Sequence, residues 1–169
     1  MQLSDTDNKE DYPRIRPVEA SHIADLIRIS DDTNLSMWTA QNYLDELQIP
    51  EAIMLRLESE TNETIGFIVG RIVQGGAVEI QMDTEIYNIA VIENEQEKGF
   101  GQQLFAAFTA RCRDIGACNI WLEVRASNQK AISFYERNGF EQVQSRNNFY
   151  ENPREHALLM KLVLKNNTA

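Results

Sequence analysis

Two glycines one residue apart, Gly99 and Gly101, mark the start of a predicted helix that follows a predicted strand. The first turn of a helix has N–H groups without partners, and the helix dipole favours negative charge there. Glycine lets an anion touch this backbone because it has no side chain. The stretch QEKGFGQ, residues 96–102, therefore predicts a binding site for an anion such as a pyrophosphate. A glycine turn without a ligand is the simpler interpretation of the same two residues.

The common nucleotide-binding motifs do not describe this loop. The third glycine of a dinucleotide-binding motif would fall on Leu104, and no Walker A pattern can be read here. Glu93, Glu95 and Glu97 give the loop negative charge that opposes a phosphate, and Lys98 is the only compensating cation nearby in the sequence. The pattern alone leaves both interpretations open.

A carboxylate stands inside the short apolar segment NIWLEV, residues 119–124. Strand alternation places Glu123 on one face with Trp121 and Arg125, and apolar residues on the other face. A carboxylate in such a segment costs free energy unless it is paired or has a function. Glu123 is therefore a candidate general base, and an ion pair with Arg125 on a solvated face is the alternative.

The elements that must position these residues form a mixed α/β sheet. Candidate helix caps are Ser21, Thr39 and Asn128, and Gly139 ends the last helix. The order β-α-α-β-β-β-α-β-α-β-β indicates an antiparallel first half followed by a β-α-β crossover. Helices are predicted over residues 19–30, 39–47, 99–114 and 128–139, and strands over residues 14–18, 51–58, 64–73, 77–91, 119–124, 140–150 and 156–164.

Composition restricts the class of protein. The chain has 169 residues, of which 43% are hydrophobic and 25% charged, and its net charge is −10. These values are typical of a globular protein and oppose general nucleic-acid affinity, and no run of residues is apolar enough for a membrane span. Residues 1–12 are predicted to form a flexible tail and residues 13–165 a single domain. Cys112 and Cys118 are predicted to be buried thiols in a reducing cytoplasm, and the two histidines form no metal-binding spacing.

Three segments of the second half resemble the GNAT superfamily of acetyl-coenzyme-A-dependent N-acetyltransferases. They are NIAVIENEQEKGFGQQL, WLEVRASNQKAISFYERNGF and RNNFYENPREHALLMKL. Within the superfamily, LEVRASN followed by FYERNGF looks most like the ribosomal-protein-alanine N-acetyltransferases. The resemblance implies the GNAT fold, a mixed, mostly antiparallel sheet with splayed central strands flanked by helices.

The resemblance also implies acetyl-CoA as cosubstrate, with no metal. QEKGFG matches the Q/R-x-x-G-x-G/A pyrophosphate loop of the family. Glu97 and Gln102 depart from the close relatives, which have arginines at these positions. The implied coenzyme contacts are Ile89, Ala90 and Val91 on the splayed strand, Glu97, Lys98, Gly99, Phe100, Gly101 and Gln102 in the loop and helix start, and Asn128 at the next helix.

By the same resemblance, Glu123 is the base that takes the proton of the attacking amine, and Tyr135 is the acid that protonates the departing thiolate. A thiol pKa near 8.5 and a phenol pKa near 10 make that transfer reasonable without special tuning. The N–H of Val91 would polarise the thioester carbonyl. Tyr135 also lies at helical spacing from Ala131 and Ile132, so a core tyrosine is the alternative.

The implied acceptor is the α-amino group of an N-terminal alanine on a basic protein such as a ribosomal protein, and the acidic chain suits such a partner. The alternatives are a small-molecule amine (a polyamine, amino acid or antibiotic) and a non-catalytic CoA- or peptide-binding module. No membrane partner is expected, and the chain would be a monomer or a homodimer. Trp38 resembles a tryptophan of the substrate-side loop, in which Met37 replaces a proline, and Arg146, Asn147 and Tyr150 match the family approximately. Trp38 and Tyr150 are equally well explained as core aromatics.

Overall fold

The computed structural model describes residues 13–35, 38–75 and 81–164. The predicted tail, Met37 and residues 77–80 of the predicted long strand lie outside them. The predicted order of helices and strands is confirmed in the described residues. The elements are β1 (Arg14–Pro17), α1 (Ile23–Asp32), α2 (Ala40–Leu47), β2 (Ala52–Glu58), β3 (Thr64–Gly75), β4 (Gln81–Val91), α3 (Phe100–Asp114), β5 (Asn119–Arg125), α4 (Gln129–Arg137), β6 (Glu141–Glu151) and β7 (Arg154–Val163).

Two of the three predicted helix caps are confirmed. The Thr39 side chain accepts a hydrogen bond from the backbone N–H of Asn42 at 3.2 Å, and Asn128 does the same for Ala131 at 3.1 Å. The prediction for Ser21 is wrong, because Ser21 lies inside a 3-10 turn, Ala20–His22, that precedes α1. Helix α1 therefore begins at Ile23, later than predicted.

The sheet has seven strands in the order β1-β2-β3-β4-β5-β7-β6. Neighbouring strands are antiparallel except β4 and β5, which are parallel because helix α3 connects them as a crossover. This parallel ladder is short: it begins at Asp83↔Asn119 and ends at Ile86↔Leu122. Beyond Ile86 the two strands separate, since β4 continues to Val91 without pairing to β5. The predicted splay of the central strands is confirmed.

A β-bulge in β4 lies at the point of separation. Gly70 of β3 pairs with Ile86 and Val69 pairs with Asn88, so Tyr87 is an extra residue on β4. Ile86 packs into the cluster below α3, whereas Tyr87 and Asn88 both contact the side chains below α1 and α2. Because two successive residues share a face, the alternation of every residue after Tyr87 is reversed. The sequence pattern predicted an uninterrupted strand here.

Two apolar clusters hold the helices against the sheet. The larger one joins α3 and α4 to one face and includes Phe108, Ile120 and Tyr135. The smaller one joins α1 and α2 to the other face and includes Tyr43 and Phe67. Burial of such residues stabilises the fold by roughly 1.5–3 kcal/mol for each large side chain. None of the helices in the described ranges is long and apolar enough to cross a bilayer.

The two cysteines differ in burial. Cys112 is buried in the larger cluster, and burial raises the pKa of its thiol to about 11. This thiol is therefore protonated and unreactive at neutral pH. Cys118 is only half-buried, so the prediction of two buried thiols is right for Cys112 alone.

Candidate active site

The end of β4 presents backbone groups to the gap between β4 and β5. The N–H of Ile92 donates to the carbonyl of Ile65 at 2.9 Å, so Ile92 faces the β3 side. Backbone groups of successive strand residues point to opposite sides, and the N–H and C=O of Val91 and Ile89 therefore point into the gap. The carbonyl of Val91 accepts a hydrogen bond there from Gln96 Nε2 at 2.9 Å. An extended ligand in the gap would meet this edge of the strand.

The glycine loop has the backbone that an anion site needs. Gly99 is the N-terminal cap of α3 and has a φ of +83°, in the left-handed region that favours glycine. A β-carbon at Gly99 would have no atom within 4 Å, so the space beside it is open. At Gly101 such an atom would meet only Phe134 Cε2, at 3.8 Å. No side chain of the described residues caps this helix start, and its first-turn N–H groups fit a phosphate group.

The loop is flanked by two lysines. Lys98 pairs with Glu95 at 2.9 Å. Lys130, in the first turn of α4, donates a hydrogen bond to Gln96 Oε1 at 2.7 Å and lies 3.8 Å from Glu97 Oε1. The expectation that Lys98 is the only cation near the loop is therefore wrong. The one sequence signal for Lys130 was its place two residues after the cap of α4.

Two further predicted coenzyme contacts have partners within the protein. The amide of Gln102 donates to Asn138 Oδ1 at 2.7 Å, which joins α3 to the end of α4. The side chain of Asn128 is engaged as the cap of α4. Asn128 stands at the start of α4 and Gly101 at the start of α3, and their contact with a coenzyme remains a prediction.

Glu123 forms an ion pair, but its partner is Arg146 of β6. The predicted alternative, a pair with Arg125, is wrong. Arg125 instead contacts Glu155 at 3.4 Å and stacks on the ring of Tyr150 at 4.1 Å, where it covers the aromatic face. The predicted alternation of β5 is confirmed, because Glu123 lies on the half-buried face and only 17% of its side chain is exposed. The pair uses Glu123 Oε1 and leaves Oε2 without a partner among the described residues.

A second carboxylate, Glu85, lies close to Glu123 and was missed by the sequence analysis. Glu85 stands opposite Trp121 in the β4–β5 ladder and is half-buried. Burial raises the pKa of Glu85, and the charge of Glu123 raises it further. The sequence signal was its alternation with Asp83 and Tyr87 along β4.

Tyr135 is buried between the rings of Phe134 and Phe140, whose centroids lie 5.5 Å from its own. Burial raises the pKa of Tyr135 well above its ordinary value, and the neighbouring Tyr150 adds to the shift. The phenol is therefore protonated at all physiological pH values, as an acid must be. The raised pKa makes transfer of its proton to a thiolate less favourable than for an exposed phenol. The expectation that Tyr135 acts with an ordinary phenol pKa is therefore wrong.

Aromatic side chains meet on the face of the sheet that α1 and α2 cover. Trp38 contacts Tyr43 at 5.0 Å and Tyr87 at 5.6 Å between ring centroids. Arg71 beside them forms a two-point pair with the buried Glu46. A cavity of about 350 Å³ lies on the α2 side of this group, away from Glu123 and Tyr135, and is lined by Trp38, Asn42, Asp45, Glu46, Ile49 and Arg71. No group of three potential metal ligands occurs in the described ranges.

Similarity to known proteins agrees with this geometry. The chain is 32% identical over 153 residues to the ribosomal protein bS18-alanine N-acetyltransferase of Haemophilus influenzae, a match that covers 89% of this chain and 98% of the relative. The solved structure of Ard1 from Thermoplasma volcanium has a TM-score of 0.78 and 27% identity, over 90% of this chain and 97% of that one. NAA60 of Arabidopsis thaliana, solved in complex with acetyl-CoA, shares the fold with a TM-score of 0.80 at 18% identity, over 89% and 98% of the two chains. Residues 23–140 match the sequence profile of the acetyltransferase (GNAT) family. The chain therefore belongs to the acetyltransferase (GNAT) family.

Proposed function

We propose that the protein transfers the acetyl group of acetyl-CoA to the α-amino group of a protein N-terminus, with an N-terminal alanine of a ribosomal protein as the preferred acceptor. The observation that carries this proposal is the short β4–β5 ladder, which ends at Ile86↔Leu122 and opens beside the glycine loop. The acceptor is inferred from the Haemophilus influenzae relative, which is similar over nearly its whole length and is named for that substrate.

Acetyl-CoA supplies the acetyl group as an activated thioester. The first-turn N–H groups of α3, at Gly99 and after it, hold the pyrophosphate, and the exposed edge of Ile89 and Val91 aligns the pantetheine arm. The N–H of Val91 polarises the carbonyl. These groups are fixed in the fold before the ligand arrives, so little reorganisation is needed when charge develops.

Glu123 and Tyr135 handle the protons. An amino terminus has an ordinary pKa of about 8, so the neutral amine is accessible at neutral pH. Oε2 of Glu123, directly or through a water molecule, accepts the proton as the amine forms its bond to the acetyl carbon. The carbon–sulfur bond breaks, and the phenol of Tyr135 gives its proton to the departing sulfur. Because burial strengthens the hold of Tyr135 on that proton, we infer that the transfer accompanies bond cleavage and does not follow it.

The acceptor approaches a protein whose overall charge is negative. The net charge of the chain is −10, and near the gap Glu85 and Glu123 are accompanied by Arg71 and Arg146. A basic peptide is attracted by this field, chiefly through a faster association that salt weakens. A ribosomal protein would be met in the cytoplasm.

A competition assay read by mass spectrometry tests the acceptor. A peptide that begins Ala-Arg should receive the acetyl group in preference to spermidine and to lysine side chains, and its advantage should shrink as ionic strength rises. If label goes mainly to polyamines or internal lysines, the enzyme is a small-amine or lysine acetyltransferase. If coenzyme binds and no amine is modified, the protein is a binding module.

A further inference from the structure

We propose that Lys130 binds the pyrophosphate of the coenzyme and supplies the positive charge that the glycine loop lacks at positions 97 and 102. This inference rests on the proposed function, since it concerns the same coenzyme. It assigns a binding role to a residue outside the glycine loop, on helix α4, that reaches the loop from the opposite side of the gap.

The position of the Lys130 side chain is the first argument. Lys130 is the second residue of α4, and its Nζ lies 2.7 Å from Gln96 Oε1 and 3.8 Å from Glu97 Oε1. The ammonium group is thus directed at the loop and held there by a side chain of that loop. A phosphate on the first-turn N–H groups of α3 would lie beside the same loop.

Gln96 links the elements around Lys130. Its Nε2 donates to the carbonyl of Val91 at 2.9 Å while its Oε1 accepts from Lys130. The amide therefore connects the end of β4, the loop and α4 by both of its polar atoms. Lys130 is positioned by this connection before a phosphate arrives, which lowers the entropic cost of binding one.

The contact with Glu97 does not prevent the proposed role. The side chains of Lys130 and Glu97 are 69% and 84% exposed. An ion pair with this degree of solvent exposure contributes little to stability. Lys130 can therefore exchange Glu97 for a phosphate at small cost. Ammonium–phosphate hydrogen bonds are charge-assisted and stronger than those between neutral groups.

The glycine loop carries excess negative charge, so a phosphate bound there needs a nearby cation. The loop contains three glutamates (Glu93, Glu95 and Glu97) and one lysine, Lys98. Lys98 is already paired with Glu95 at 2.9 Å. A phosphate at the glycines meets this negative field, because partly screened charges still interact over several ångströms. The ammonium group of Lys130, which reaches the loop from α4, offsets this negative charge.

Calorimetric titration of the full chain tests the assignment with three ligands: CoA, 3′-dephospho-CoA and pantetheine. Lys130→Gln should weaken CoA and 3′-dephospho-CoA alike, by about fivefold to tenfold as expected for one charge-assisted contact, and leave pantetheine unchanged. Lys130→Arg should restore the affinity to within about twofold, because arginine also donates to phosphate. Arg137→Gln is the matched control, with the same loss of charge at an exposed position in the last turn of the same helix and an expected effect below about twofold.

The outcomes separate this inference from the proposed function. If wild type and Lys130→Gln bind CoA equally well, Lys130 does not bind phosphate, although the function stands. Loss of CoA affinity without loss of 3′-dephospho-CoA affinity would place Lys130 at the 3′-phosphate and overturn the pyrophosphate assignment. An equal loss of affinity in Arg137→Gln would show that Lys130 acts only through the overall charge of the protein, and would overturn its direct contact with the pyrophosphate. If wild type binds no CoA at all, the proposed function fails and this inference fails with it.

Discussion

The guanidinium of Arg146, on the edge strand β6, reaches over β7 to pair with the carboxylate of Glu123 on β5. The pair fixes the direction of a carboxylate that would otherwise rotate freely on a half-buried face. It engages one oxygen of Glu123 and leaves the other for the proton of an acceptor amine. An arginine two strands away thus aims the proposed base.

The first prediction concerns that base. Glu123→Gln keeps the size of the side chain but cannot accept the proton, so kcat should fall by roughly 100-fold or more. Calorimetry should find the affinity for acetyl-CoA within about twofold of wild type, since Glu123 is assigned no contact with the coenzyme. Glu141→Gln, at an exposed position of β6, is the matched control and should keep normal turnover. Normal rates in the Glu123 variant would make this carboxylate purely structural.

The second prediction concerns the buried phenol. Tyr135→Phe removes one hydroxyl and keeps the ring contacts with Phe134 and Phe140, so the fold should persist while kcat falls by roughly 100-fold. Tyr150→Phe is the comparison, because it keeps the stacking of Arg125 and should change kcat by less than about threefold. Steady-state kinetics at saturating acetyl-CoA distinguish the two. Equal kcat values in both variants would contradict the assignment of Tyr135 as the acid.

The third prediction separates backbone strain from ligand contact at the glycine loop. Gly99 and Gly116 have φ angles of +83° and +76°, and a β-carbon at either would have no neighbour within 4 Å. Alanine at either position should therefore destabilise the fold by a similar amount, about 1–2 kcal/mol in denaturant unfolding. Gly99→Ala alone should weaken CoA, whose affinity in the wild type should be micromolar, about −8 kcal/mol. Unchanged CoA binding in Gly99→Ala would show that the loop is an ordinary turn.

The fourth prediction follows from the buried thiol of Cys112. Its pKa rises on folding from 9.0 to about 11, so the folded state favours the protonated form. The stability that this gives is complete below pH 9 and is lost as pH rises towards 11. Urea unfolding should therefore show a loss of about 1 kcal/mol between pH 9 and pH 10. Cys112→Ala, less stable overall because of its cavity, should lack that slope over the same interval. A parallel slope in both proteins would assign the loss to other groups.

Most of the fold could be predicted because its signals are local. The alternation of Ile120, Leu122 and Val124 and the apolar spacing in α3 follow directly from the periods of strands and helices. The glycine loop and the caps at Thr39 and Asn128 are likewise properties of a few consecutive residues.

What could not be predicted depends on contacts between distant residues. The choice of Arg146 over Arg125 as the partner of Glu123 is decided by where β6 packs, and Lys130 meets Gln96 only because α4 lies beside the loop. The bulge at Tyr87 leaves no mark in a sequence window, since it is set by pairing with β3. The raised pKa values of Glu85 and Tyr135 arise from burial that needs the assembled sheet.

The separation of β4 from β5 gives the sheet an open edge in its interior. Unpaired edges usually invite other chains to add a strand and aggregate. Here the opening is a wedge that closes at Ile86 and Leu122, so a foreign strand that continues in both directions cannot enter it. A narrow ligand that ends at the Ile86–Leu122 pair can enter the opening. The geometry that we propose for binding the pantetheine arm therefore also limits what can enter the gap, and it protects the protein from association through the unpaired backbone groups of β4.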